Sequence, residues 1–304
     1  MKWTKFIILL VVFMLTIKGI DRLYAPIDTW ADTMLKAYSQ RKDSVDVIII
    51  GHSHTGAIRQ SRLGDLNVMN FSYAGMELKD RYDFLKEILK QKGRVRYVVM
   101  AMDYDQIGHK TSDGMVHNML LPCIVNNESG LTSAVSKMEP TNFLRHNRDL
   151  KVLYEYYVTR RYNRNDTSFV PLNFTNKNDF SACSKRALEL SKLNYSSHNI
   201  NENLELLDEI HKLLNEKGIM LVLLNTPKPS CFNEVYFNNL DTSHMFQLRD
   251  YISRNHLMYA DFGKANCFNG EDFRDFDHLS DKGSKLVCDS IWRMIESRQE
   301  LAKN

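Results

Sequence analysis

The 304-residue sequence lacks the features that mark several large classes of protein. No basic run is interleaved with aromatic residues and the net charge is only +3, so nucleic-acid binding is not indicated. The five cysteines include no C-x-x-C pair and have no zinc-ligand spacing, so no metal site is predicted from them. No internal repeat or low-complexity tract occurs, and 43% hydrophobic residues are enough for a large globular core.

The cysteines also lack a spacing that would define disulfide bonds. An odd number leaves at least one thiol unpaired, and spacing alone does not decide whether Cys231 joins Cys267. The favoured interpretation for each cysteine is a small buried hydrophobic residue.

No hydrophobic run reaches the roughly 20 residues that a full membrane span needs. The N-terminal run covers residues 6–17, with Lys2 and Lys5 before it and Lys18 after it, and no small-residue cleavage motif follows. We therefore expect residues 1–22 to be an uncleaved membrane anchor and residues 23–304 to be an extracytoplasmic domain. A cleaved signal peptide and a buried helix of a soluble protein are the alternatives.

Buried strands alternate with helices in two parts of the chain, as in a parallel sheet. The expected fold is α/β, a three-layer α/β/α sandwich with a mainly parallel five-stranded sheet in the flavodoxin-like order 2-1-3-4-5. Residues 106–199 lack strand signals and are predicted to be a largely helical insertion over the sheet edge. The strands are predicted at 47–50, 67–72, 97–102, 219–224 and 258–261, and the main helices at 77–91, 201–216, 243–255 and from about 284 to 298.

A serine lies just beyond the first predicted strand. Gly51 ends the run of β-branched residues, Ser53 follows two residues later, and a short helix is predicted at 55–62. Ligands of open α/β sheets bind at the carboxyl ends of the strands, and a helix N-terminus offers free N–H groups to negative charge. Ser53 is therefore a candidate nucleophile.

An acid and a histidine precede the last predicted helix. Asp275 and His278 are three residues apart, so a tight turn can place both side chains together. A carboxylate on one imidazole nitrogen fixes the tautomer, which leaves the other nitrogen to accept the proton of a serine. A serine hydroxyl is a weak nucleophile without such help.

These blocks in this order, with Gly75 after the second strand, resemble the SGNH (GDSL-like) hydrolase superfamily over residues 45–104 and 201–298. The resemblance implies Ser53 as nucleophile, His278 as base and Asp275 as its orienting acid, with the amides of Ser53 and Gly75 as oxyanion donors. An N-terminal anchor ahead of such a domain is most similar to the membrane-tethered, DltD-like members that move or remove acyl groups on envelope polymers.

Two of the sequence motifs differ from the pattern of that family. His52 stands where Asp is usual, and Asp103 follows the third strand where the family has Gly-x-Asn-Asp. An ionised Asp103 cannot donate to an oxyanion, and losing one donor costs about 10²–10³ in rate. Either another group donates, the enzyme is slow on simple esters, or the site is inactive. The candidate substrate-binding residues are Asp103, which could bind a sugar hydroxyl, His52, His54 and Asn225.

The resemblance therefore implies an esterase or O-acyltransferase acting on an acylated carbohydrate polymer, without metal or cofactor, and with a membrane-bound acyltransferase as a candidate partner. The non-enzymatic alternative is a scaffold or polymer-binding protein. Gly51-His52-Ser53-His54 also matches the G-H-x-H of calcineurin-like phosphoesterases, but their other metal-binding motifs are absent. An α/β-hydrolase is disfavoured because Ser53 lies too early and Asp275 too near His278.

Overall fold

The computed structural model describes residues 2–24, 29–58, 60–104, 106–108, 119, 153–154, 180–191, 197–239, 243–265 and 267–301. Most of the predicted insertion at residues 106–199 lies outside these residues. The helices are α1 Lys2–Tyr24, α2 Trp30–Arg41, α3 Ser53–Gly56, α4 Leu78–Lys90, α5 Phe180–Ser191, α6 Ser197–Asn215, α7 Ser230–Asn239, α8 Ser243–Arg254 and α9 Asp281–Leu301. The strands are β1 Val47–Ile50, β2 Arg62–Leu63, β3 Leu66–Asn70, β4 Tyr97–Ala101, β5 Met220–Asn225 and β6 Met258–Asp261.

The sheet has the order β2-β3-β1-β4-β5-β6. β3, β1, β4, β5 and β6 are parallel neighbours, which confirms the predicted α/β class and the order of the five expected strands. β2 pairs antiparallel with β3 and was not predicted. It begins at Arg62, so the helix expected at 55–62 was wrong: α3 is a single turn that ends at Gly56.

The first strand is buried on both faces because helices cover the sheet. All four residues of β1 are fully buried. On one face, Val47 and Ile49 belong to the same core cluster as Val287 and Ile291 of α9. Burying each such side chain contributes about 1.5–3 kcal/mol. The C-terminal helix is therefore part of the core on this face of the sheet.

Gly51 allows β1 and β4 to lie close together where the candidate site begins. A Cβ at this position would lie 2.4 Å from Cβ of Ala101 and 2.3 Å from Oγ1 of Thr55. Real Cβ atoms do not approach other atoms so closely, so any larger residue would push these segments apart. The glycine noted in the sequence as a turn former is thus also required for packing.

The chain divides into two compact units. One comprises residues 1–40, 83–90 and 113–168, and within it Trp30 stacks on Phe84 at 5.3 Å between ring centroids. The other comprises residues 41–82, 91–112 and 169–304, and it contains the whole sheet and every candidate site residue. Among the described residues, no helix combines the length and the apolar character needed to cross a membrane.

A disulfide bond between Cys183 and Cys231 joins α5 to α7, with 6.2 Å between the two Cα atoms. Cys231 is therefore not joined to Cys267, which is an exposed free thiol. Interpreting each cysteine as a small buried hydrophobic residue agrees with the burial of Cys183 and Cys288 and was wrong for the exposed Cys267, while Cys123 lies outside the described residues. The disulfide bond was not predicted.

Candidate active site

The turn after β1 presents Ser53 as the first residue of α3. His52 caps this turn, because its Nδ1 accepts a hydrogen bond from the backbone N–H of His54 at 3.2 Å. Ser53 is half-buried, whereas His52 and His54 are buried. With only one turn, α3 does not supply the helix dipole that the sequence led us to expect. The turn nevertheless places Ser53 at the carboxyl edge of the sheet.

The loop before α9 brings Asp275 and His278 together. Oδ1 of Asp275 accepts from the backbone N–H groups of Asp277, at 3.0 Å, and of His278, at 2.8 Å. The same carboxylate lies 2.9 Å (Oδ1) and 3.1 Å (Oδ2) from Nδ1 of His278. The acid therefore shapes the turn and orients the imidazole at once. Both side chains are almost completely buried.

A second carboxylate, Asp277, also contacts His278. Its Oδ1 lies 2.8 Å from Nδ1 of His278, and its Oδ2 accepts from Nε of Arg186 at 3.0 Å. Burial opposes a charged imidazole, but hydrogen bonds to Asp275 and Asp277 outweigh it and raise the pKa of His278 above 6.5. Burial alone would likewise raise the pKa of Asp277, yet hydrogen bonds from His278 and His54 hold it well below its usual range.

The first and last blocks meet through His54. Its ring lies 5.1 Å from that of His278 in an edge-on arrangement, and its Nε2 lies 3.4 Å from Oδ2 of Asp277. Ser53 directly precedes His54, so the serine and the base occupy the same region of the sheet edge. A direct hydrogen bond between Ser53 and His278 stays a prediction.

Asp103, after β4, is the centre of a buried polar network. Its Oδ1 accepts from the backbone N–H of Thr226 and its Oδ2 from the Thr226 hydroxyl, both at 2.7 Å. Nδ1 of His54 lies 2.7 Å from Oδ2, and Nζ of Lys228 lies 3.4 Å from it. Burial would raise the pKa of Asp103, but the Lys228 ammonium and hydrogen bonds from His52 and His54 hold it well below its usual range. Both oxygens of Asp103 already accept hydrogen bonds from the protein, and its predicted role in binding a sugar hydroxyl stays a prediction.

Lys228 also contacts the ring of His54. Its Nζ lies 2.6 Å from Nδ1 and 3.2 Å from Nε2 of that ring. Both ring nitrogens also face carboxylates: Nδ1 lies 2.7 Å from Oδ2 of Asp103, and Nε2 lies 3.4 Å from Oδ2 of Asp277. Burial and the neighbouring His54 lower the pKa of His52 to about 3, so that ring is neutral near pH 7.

The remaining candidates lie on neighbouring loops. Gly75 has a φ of +72° and is exposed, a conformation that favours glycine. The buried Arg81 fixes the surrounding chain by donating to the carbonyls of Ala101, at 2.6 Å, and Met76, at 2.8 Å. Asn225 donates to Asp261 at 2.8 Å. The oxyanion role of the Gly75 amide stays a prediction, and Asn225 bonds to the protein itself.

A pocket opens beside His54. It is small, and aromatic rings and amides line it together with His54 and Lys228. Two helices joined by the disulfide bond supply part of its wall. The other lining residues are Asp103, Tyr104, Leu190, Asn225, Phe232, Asn233, Tyr236, Phe237 and Gly263.

Among the residues that the structure describes, two groups of side chains could hold a metal ion. One is His52, His54 and Asp103, and the other is His54, Asp277 and His278, with the ligand atoms of each group within 4.8 Å of one another. Each of the two carboxylates already has a cationic partner. Lys228 is the partner of Asp103, and Arg186 is the partner of Asp277. Both carboxylates are therefore charge-paired within the protein itself.

Sequence reasoning missed three contributors to this site. Asp277 lies inside the recognised block and was passed over because only one orienting acid was sought. Lys228 follows a strand end, the position where site residues gather in parallel sheets, so its place was available as a signal. Nothing in the sequence pattern connects Arg186, 91 residues before Asp277, with that carboxylate.

No family model matches the chain, and no curated protein matches it. Among solved structures, it is similar to a protein from Streptococcus pneumonia provisionally described as a platelet activating factor. The two share 12% sequence identity with a TM-score of 0.43, over 95% of this chain and 97% of that one. Similarity at this level carries no argument about activity, so function rests on the site itself.

Proposed function

We propose that this protein is an extracytoplasmic serine esterase or O-acyltransferase that acts on acyl esters of an envelope or exported carbohydrate polymer. The observation that carries the proposal is the buried Asp275–His278 pair, 2.9 Å apart, whose imidazole lies 5.1 Å from the ring of the residue after Ser53. An imidazole held by a carboxylate is the group that a serine needs in order to become a nucleophile.

In the proposed reaction, His278 accepts the proton of Ser53 as Oγ attacks the acyl carbon. Asp275 stabilises the resulting imidazolium, and the amides of Ser53 and Gly75 donate to the oxyanion. The acyl group then passes from Ser53 to water or to a sugar hydroxyl. No step requires a metal or an organic cofactor.

The disulfide bond supports an extracytoplasmic location. Disulfide bonds persist in oxidising compartments and are rare in the reducing cytosol. Cys183 and Cys231 join the two helices that supply Arg186 and part of the pocket wall, so oxidation favours the arranged site. Tethering by residues 1–22 and a membrane-bound acyltransferase partner remain part of the proposal, and fractionation of cells with and without these residues tests the tether.

An activated-serine fluorophosphonate probe tests the proposed nucleophile. We expect covalent labelling of the wild type, none in Ser53→Ala, and a loss of about 10²–10⁴ in labelling rate in His278→Gln, because the general base is removed. Ser290→Ala is the matched control, since that side chain is partly exposed on α9 and donates to the carbonyl of Leu286 in the same helix.

The scaffold alternative is favoured by one feature, the inward-facing Asp103 in place of the third oxyanion donor. Folded wild-type protein that resists the probe and retains binding to an acylated polysaccharide would support the scaffold and refute the enzyme.

A further inference from the structure

We propose that Asp103 is a positioning residue that holds both chain neighbours of Ser53 and thereby fixes the proposed nucleophile in place. This inference rests on the proposed seryl chemistry and adds to it a residue that acts through the serine turn, residues 52–56. It also gives a role to the carboxylate that stands where SGNH hydrolases have Gly-x-Asn-Asp. At this position the side chain serves the nucleophile and not the oxyanion.

One carboxylate oxygen faces the residues on both sides of Ser53. Oδ2 of Asp103 lies 2.7 Å from Nδ1 of His54 and 3.4 Å from Nε2 of His52. The ring of His52 is neutral near pH 7, and its Nδ1 accepts from the backbone N–H of His54. The proton of that neutral ring is therefore on Nε2, the nitrogen that faces Asp103. Because both histidines are directed at the same oxygen, the backbone between them is restrained.

The carboxylate itself is held by the segment that follows β5. Thr226 donates to it twice, from its backbone N–H to Oδ1 and from its hydroxyl to Oδ2, both at 2.7 Å. Nζ of Lys228 lies 3.4 Å from Oδ2 and supplies the opposite charge. Asp103 is 1% exposed and Thr226 is 0% exposed, so water does not compete for these contacts. Asp103 therefore connects the serine turn after β1 to the segment after β5.

The end of β3 holds the other side of the serine turn. Oγ1 of Thr55 donates to the carbonyl of His52 at 3.0 Å and accepts from the hydroxyl of Ser72 at 2.9 Å. Nδ2 of Asn70 donates to the carbonyl of Thr55 at 2.8 Å. The turn is thus fixed from both neighbouring strands. Since a shift of about 1 Å in a reacting group can cost 10² in rate, loss of one of these supports should lower the reactivity of the serine.

The charge of Asp103 is compatible with this role. An ionised carboxylate aimed at the reacting carbonyl would oppose the negative charge that develops there. Here both oxygens are directed at protein donors, and Lys228 balances the charge. The carboxylate can therefore stay beside the serine turn and act on it alone.

Asp103→Asn tests the inference with substrates that carry no sugar. The fluorophosphonate probe reports the reactivity of the serine, and p-nitrophenyl acetate gives kcat and KM. We expect the labelling rate and kcat to fall about 10²-fold with KM little changed, because the amide replaces one accepting oxygen by a donating NH₂ group. Asp250→Asn is the matched control, since that side chain on α8 is 63% exposed. Faster labelling, which would mean that an oxyanion donor had been restored, or a change in KM alone would overturn the inference.

Two further variants separate this role from a general loss of structure. A double variant, His54→Ala with Asp103→Asn, should lose clearly less than the product of the two single losses, because the two residues act through one contact. Thr226→Val removes one donor to Asp103 and keeps the carboxylate, so labelling should fall about 5-fold. This milder change decides the question if Asp103→Asn does not fold. Multiplicative losses in the double variant, or full activity in Thr226→Val, would contradict the inference.

Hydrogen exchange of the serine turn distinguishes this inference from the proposed function. The backbone N–H groups of Gly56 and Ala57 donate to the carbonyls of His52, at 2.9 Å, and Ser53, at 3.2 Å. Both amides should exchange faster in Asp103→Asn, whereas amides of α9 should keep their wild-type rates. Unchanged exchange in the turn would refute the restraint whether or not the serine is active. A wild type that resists the probe and releases no p-nitrophenol would instead refute the proposed function.

Discussion

Removing the disulfide bond should destabilise the protein by about 4 kcal/mol. Cys183 and Cys231 are 48 residues apart, and closing a loop of that length lowers the entropy of the unfolded chain by about 14 cal/mol/K, or about 4 kcal/mol at 25 °C. The change is Cys183→Ala together with Cys231→Ala. Because α5 carries Arg186 and α7 carries Phe232, the same variant should also lose catalytic activity before it unfolds globally.

The assay is urea denaturation of the oxidised wild type, the double variant and Cys267→Ala as a control. Cys267 is an exposed free thiol, so its replacement should change the free energy of unfolding by less than about 0.5 kcal/mol. Peptide mapping of unreduced protein should recover Cys183 joined to Cys231. A double variant within about 1 kcal/mol of the wild type, or a map without that linked peptide, would refute the reasoning.

Two further predictions concern the last loop. A base must be neutral to act, and the pKa of His278 is raised above 6.5, so kcat/KM should fall on the acid side with an apparent pKa above 6.5. Asp277→Asn removes one acceptor beside His278 and should move this acid limb to lower pH. An acid limb that does not move would contradict the role of Asp277. Gly283→Ala would place a Cβ 2.1 Å from the carbonyl oxygen of Asp272 and should destabilise the folded protein by about 1–3 kcal/mol in thermal melts. Gly270→Ala is the control, because nothing lies within 4 Å of a Cβ at that position. Equal melting temperatures of the two variants would refute the close contact.

The sheet could be predicted because buried parallel strands have a strong local signature. Runs such as 47–50 and 97–101 are continuously apolar, and glycines or helix ends bound them, so strand positions and neighbour order follow from the pattern. β2 escaped prediction because it has two residues and its pairing with β3 is decided by the turn between them. The helix expected at 55–62 failed for the same reason, since the pairing of Arg62 with Asn67 outweighed a local helical preference.

The contacts within the site could likewise be predicted only where they are local in sequence. Asp275 and His278 are three residues apart and meet through a turn that the sequence itself encodes, so their contact could be foreseen. The bond between His54 and Asp103 joins residues 49 positions apart, and Lys228 reaches His54 across 174. Such contacts depend on which strands are neighbours and how deeply each loop is buried. The sequence shows that His54 and Lys228 each follow the end of a strand, but it does not show that the two side chains contact each other.

The loop with the histidine and its acids is a small closed hairpin. Phe273 and Leu279 form a bridge, and the backbone of Arg274 donates to the carbonyl of His278 at 2.9 Å. Ser280 completes it by donating from its backbone to Asp272 at 2.9 Å and from its hydroxyl to Glu271 at 2.8 Å. This closed hairpin restrains the imidazole before any substrate binds, so little conformational entropy is lost during the reaction. The amide protons of Arg274 and Ser280 should accordingly exchange with deuterated water far more slowly than those of an ordinary surface loop.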